Sequence, residues 1–198
     1  VGAGRGRFTT HAGEYVVLVL FAVLGMLLLV SAADLLMVFV ALEMTSLSLY
    51  ILAAFNKQAV SSAEAAFKYF LFGGVSAALA LFGFSLVYGL AGSTDLEQVA
   101  RALPGHAGDP LLIVALVCVV AGLGFKVAAV PFHLWAPDAY EGAPTPSAAL
   151  IATGSKVASF FILARLMMAF AGSEGSADWG DLSSGWVMVL GLIAAGSM

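Results

Sequence analysis

Five stretches of the chain stay apolar for about 20 residues or more, the length a helix needs to cross a bilayer. Polar turns separate them, so the pattern predicts helices over 14–33, 34–55, 62–90, 110–140 and 146–171. A further apolar run starts near Trp186. The turn after the first segment is tight, so the first two helices should form an antiparallel pair. Thr94 followed by Glu97 has the spacing of a capping box, and Leu96, Val99, Ala100 and Leu103 then recur at helical spacing. A short amphipathic helix at the membrane surface is expected there. The fourth segment carries Gly122, Gly124 and Pro131. Proline lacks an N–H and clashes with the carbonyl four residues earlier, so this helix should break near 131 and resume toward Tyr140.

Composition supports a bilayer environment. Apolar residues are 62% and charged residues 10% of the 198 positions, where a soluble domain has roughly a quarter charged. The expected fold class is therefore an all-α membrane protein, a polytopic transmembrane helix bundle with one broken helix. The net charge of -4 gives no reason to expect a nucleic-acid partner. Arg5, Arg7 and Lys57 fall on one side of the bundle and favour a cytoplasmic N-terminus, with 1–13 as a cytoplasmic stub. On that assignment 14–171 forms the five-helix unit, and 172–198 holds an outer loop and the start of a sixth helix. Trp135, Tyr140, Trp179 and Trp186 fit an interfacial aromatic belt. The start at Val1 and the stop inside an apolar run lead us to expect a fragment of a longer protein.

The chemistry lies in charges at bilayer depth. Glu43 stands about 14 Å along the second helix, and Lys156 is similarly central in the fifth. Lys126 lies near the end of the fourth helix and Lys68 early in the third, so three of the four lysines are inside spanning segments. A charge at a helix centre costs about 2.5–3.5 kcal/mol on insertion scales, so such groups pair or line a hydrated path. One interpretation is structural: Glu64 precedes Lys68 by one turn and can form an ordinary helix salt bridge with it. The other is a proton path through Glu43, Lys68, Lys126 and Lys156, with Glu43 as the modulator of Lys126 and His133 as a relay. A broken helix beside an intramembrane lysine strengthens the second interpretation. Gly73-Gly74 and Ala77-Ala78 suggest close helix packing. No nucleotide-binding loop, cysteine cluster or paired histidine appears, so no cofactor is expected on this chain. Cys118 is the lone cysteine.

Several strings carry a resemblance. Gly124-Phe125-Lys126, Val130-Pro131-Phe132-His133-Leu134-Trp135 and Pro137-Asp138-Ala139-Tyr140-Glu141-Gly142-Ala143-Pro144-Thr145-Pro146 are similar to the signature of the subunit N family of NADH-quinone oxidoreductase, complex I. Leu42-Glu43-Met44-Thr45-Ser46-Leu47, Glu64 to Phe70 and Ala152-Thr153-Gly154-Ser155-Lys156 resemble the same family. The resemblance implies an antiporter-like fold of about fourteen helices, with this chain holding the first five-helix repeat. It implies a proton-translocating role for Glu43, Lys68, Lys126 and Lys156. It implies other complex I membrane subunits as partners and a multi-pass location in the cell inner membrane. NADH, flavin, iron–sulfur clusters and quinone would serve the whole complex, with no redox chemistry in this chain. Multisubunit sodium/proton antiporters share the Glu, Lys and P-x-H-x-W-x-P-D skeleton and give the alternative.

Overall fold

The structure is a computed structural model that describes residues 11–106, 109–171, 191 and 194–195. Arg5, Arg7, Trp179, Trp186 and the expected outer loop from Gly172 lie outside the described residues. Among the described residues up to 171, eight α-helices follow one another: α1 Ala12–Ser31, α2 Leu35–Ala53, α3 Val60–Ala91, α4 Leu96–Ala102, α5 Pro110–Val127, α6 Trp135–Gly142, α7 Thr145–Ala152 and α8 Gly154–Ala171. Helices α1, α2, α3, α5 and the α7–α8 pair are long and apolar enough to span a membrane. Exposed Leu20, Leu27, Val40, Val75 and Phe160 show why: large apolar side chains cover the outside as well as the core.

Small residues set the helix spacing. A Cβ on Gly122 would lie 2.7 Å from the Ala80 Cβ and 2.8 Å from the Ser76 carbonyl, so α3 and α5 touch backbone to backbone. Ser76 donates to the Gly122 carbonyl at 2.6 Å across the same contact. Gly25 brings α1 equally close to Thr45 of α2. The expected close packing at the Gly-Gly and Ala-Ala pairs of α3 holds at Gly73 but not at Gly74 or Ala78. Gly73 makes room for the Tyr50 hydroxyl, while Gly74 and Ala78 face outward. The contact surface runs along Ser76, Ala80 and Gly83 instead.

Polar contacts fasten the two ends of α1. Tyr15 Oη lies 3.1 Å from Ser147 Oγ of α7, and Arg165 Nη1 of α8 donates to the Val30 carbonyl at 2.9 Å. At the Val30 end, the Leu35 amide donates to the Thr94 carbonyl and the Leu96 amide to the Ala33 carbonyl, each at 2.9 Å. The cap of α4 is Asp95, which accepts from the Glu97 and Gln98 amides. Thr94, expected in that role, instead donates its hydroxyl to Asp34, the cap of α2. The carboxylate one position later is the better-placed acceptor, which frees the threonine to join two turns. Leu96, Val99, Ala100 and Leu103 are buried against the bundle.

Two helix breaks shape the site. Helix α5 stops at Val127, before the expected point, because Ala128 turns left-handed at φ 57°. The Ala129 amide reaches back to the Gly124 carbonyl at 2.9 Å and the Ala128 amide to the Phe125 carbonyl at 3.0 Å, a Schellman-type closure. A non-helical turn over 128–134 then contains Pro131, and helix resumes only at Trp135. The second break, at Thr153, interrupts what the hydropathy pattern shows as one segment. The Thr153 and Ser155 hydroxyls bond the Ala149 and Ile151 carbonyls at 2.7 Å each, competing with the helix ladder. Met26 fills the space over Gly154.

Candidate functional site

The site forms where the end of α5 meets α2 on one side and α8 on the other. Lys126, in the last turn of α5, is buried at 9% exposure, so it does not snorkel to the surface. Its Nζ donates to Ser46 Oγ of α2, and that hydroxyl donates to the Leu42 carbonyl at 2.5 Å. The ammonium also lies 5.7 Å from the Tyr50 ring centre and 5.4 Å from that of Phe125, within the range of a cation–π attraction. Glu43 is half-buried on α2, one turn before Ser46. Lys126 contacts the serine, not the carboxylate.

Lys156 approaches from α8. Its Nζ donates to the Lys126 carbonyl at 3.0 Å and sits 4.7 Å above the Trp135 ring. The carbonyls at a helix C-terminus have no partner within the helix and carry the negative end of its dipole. The break after Val127 thus turns a helix end into a seat for a cation. Ser46, Lys126 and Lys156 therefore form a row across α2, α5 and α8, with Glu43 one turn from Ser46 on α2.

The other expected residues lie apart from this row. Lys68 is 38% exposed and held between Glu64 at 2.7 Å and Asp138 at 2.9 Å. Asp138 thereby ties α6 to α3. His133 stands in the 128–134 turn, with a buried Nδ1 that has no hydrogen-bond partner among the described residues. A cavity of about 250 Å³ opens between α3, α5 and that turn, lined mainly by apolar groups such as Phe72, Val75, Phe132 and Leu134.

An aromatic stack backs the site. Trp135 lies parallel to Tyr69 with centroids 4.4 Å apart, and Phe125 is 4.8 Å from the indole. The indole Nε1 donates to the Phe125 carbonyl at 3.0 Å. Trp135 is 2% exposed, so it belongs to the interior rather than to an interfacial belt.

Residues 32–197 match the family described as NADH:quinone oxidoreductase/Mrp antiporter, TM. The chain belongs to this family. Within the NADH:quinone oxidoreductase/Mrp antiporter family, it is 55% identical over 201 residues to NADH-quinone oxidoreductase subunit N 2 of Acidobacterium capsulatum. That match takes in 99% of this chain and 40% of the relative, so the chain spans well under half of that protein's length. A chain of respiratory complex I from Thermus thermophilus matches with a TM-score of 0.68 and 46% identity, covering 77% of this chain and 34% of its own length. A chain of an archaeal membrane-bound sulfane sulfur reductase matches with a TM-score of 0.78 and 28% identity, over 92% of this chain and 35% of its own. Sequence reasoning named the charged members of the site but not the contacts of Ser46, Asp138 and Trp135. For Ser46 the signal was position: Ser46 and Tyr50 lie one and two turns beyond Glu43 on the same helix face.

Proposed function

We propose that the chain is part of subunit N of NADH-quinone oxidoreductase and conducts protons through the membrane by way of Glu43, Lys126 and Lys156. The observation that carries this is the hydrogen bond from Lys156 to the Lys126 backbone, which links two lysines within the bundle, neither of them bonded to a carboxylate among the described residues. An ammonium locked to a carboxylate at bilayer depth is hard to discharge. A serine, a helix-end carbonyl and aromatic faces support the charge without fixing it. Protonation of Lys126 raises the local potential at Lys156 and favours passing the latter's proton onward. Glu43, acting at a distance, adjusts Lys126. Lys68, with Glu64 and Asp138, and His133 belong to the side of the bundle assigned to the cytoplasm, where they feed the row.

In this reading NADH oxidation and quinone reduction take place in other subunits, which hold the flavin and iron–sulfur clusters. The chain's partners are the neighbouring membrane subunits of the complex, in the cell inner membrane. The test is the full complex carrying Lys126→Ala or Lys156→Ala, assayed for NADH-driven proton uptake by inverted vesicles. Assembly is expected to persist and proton uptake to fall severalfold for each. Unchanged uptake in an assembled complex would overturn the reading. Sodium movement in place of protons would move the chain to the antiporter branch of the family.

A further inference from the structure

Trp135 stands at a junction that the charged row alone does not explain. Its N–H is bonded to the Phe125 carbonyl, and the next carbonyl along, that of Lys126, holds the Lys156 ammonium. Two adjacent carbonyls at one helix end thus fix both a ring and the cation above it. The ring is also pinned by its stack on Tyr69, with an interplanar angle of 6°, and by Phe125. At 2% exposure, its position is set by packing.

We propose that Trp135 is the positioning residue for Lys156, its indole face forming the seat that holds the ammonium against the end of α5. This rests on the proton-path reading above. The attraction of a π face for a cation exists only while the cation is charged. A protonated Lys156 is drawn to the indole and to the Lys126 carbonyl, in reach of Lys126. Once the proton has left for water or a titratable group beyond α8, the neutral amine is no longer drawn to the ring and is free to move. The ring therefore sorts the two forms of one lysine by position without itself exchanging a proton.

The test replaces Trp135 in the full complex by tryptophans bearing one, two and three ring fluorines. Fluorine drains the π face and leaves the shape and the N–H nearly intact. Proton uptake per assembled complex is expected to fall stepwise along the series, by about two- to tenfold at three fluorines. A packing role alone predicts no such gradient, since the ring still fills its space. Uptake that stays flat across the series, while Lys156→Ala still lowers it severalfold, overturns the proposal. Normal uptake in both Lys126→Ala and Lys156→Ala overturns the underlying proton path instead. Trp135→Phe, which keeps a π face and loses the N–H, should assemble and retain more uptake than Trp135→Leu; the reverse order counts against the seat.

Discussion

At the scale of single residues, Lys126 has a hydroxyl as its bonded partner and a carboxylate only at a distance. Ser46→Ala removes that acceptor and leaves a buried ammonium short of one bond, a cost of about 1–3 kcal/mol. The assembled complex should then melt at a lower temperature and take up protons more slowly, while Ser46→Thr, which keeps the hydroxyl, should retain both properties. Scanning calorimetry beside vesicle uptake reads the pair of outcomes. The charged members of the site were legible in the sequence because each interrupts an apolar run, where a charge needs a reason. The partner of Ser46 was not, since a serine in a membrane helix can simply bond its own helix, as Ser48 does to the Met44 carbonyl at 2.8 Å. Trp135 was placed in an interfacial belt because an amphipathic ring next to a helix end fits one. Its burial depends on Tyr69, 66 positions away in the chain, which no local pattern reveals.

At the scale of helices, proline and glycine signalled the break in the fourth segment but not its exit point. The helix leaves at Ala128, where an alanine takes a left-handed conformation that costs roughly 1–2 kcal/mol relative to the right-handed one. Ala128→Gly should relieve that cost and raise the melting temperature of the solubilised complex. A drop would show that the methyl group's packing outweighs the backbone strain. The hydropathy profile located the spanning helices among the described residues, because lipid demands apolar surface on every side. It was blind to the interruption at Thr153, since threonine, glycine and serine lower hydropathy too little to mark a boundary and the back-bonding hydroxyls show only in coordinates. Likewise, small residues on α3 were visible as a class, while the choice of Ala80 and Gly83 over Gly74 as the contact surface follows from where α5 lies.

At the scale of the whole molecule, the turn between α1 and α2 is joined to the start of α4 through Asp34 and Thr94. The Thr94 hydroxyl, with the Leu36 and Met37 amides, outweighs partial burial and holds the Asp34 carboxyl below its ordinary value of 3.8. A carboxyl lowered in the folded state stabilises the fold above its unfolded pKa, and the contribution disappears as pH falls through the folded value. Asp34→Asn should therefore destabilise the complex by a constant amount from neutral pH down to about pH 5, with the difference from the parent shrinking only below about pH 4. Melting curves across that range check the sign; a difference that grew on acidification would refute it. The polar fastenings of α1 have a wider effect. This helix is about 30 Å long, matching the hydrocarbon thickness, so its two ties fall at opposite faces of the bilayer. Its outer flank is aliphatic, and between the ties only the close seat of Gly25 on Thr45 and apolar packing hold it to the bundle. Tyr15 and Arg165 act like two rivets on one stave: together they set its depth and tilt, and with either one gone the stave can pivot about the other.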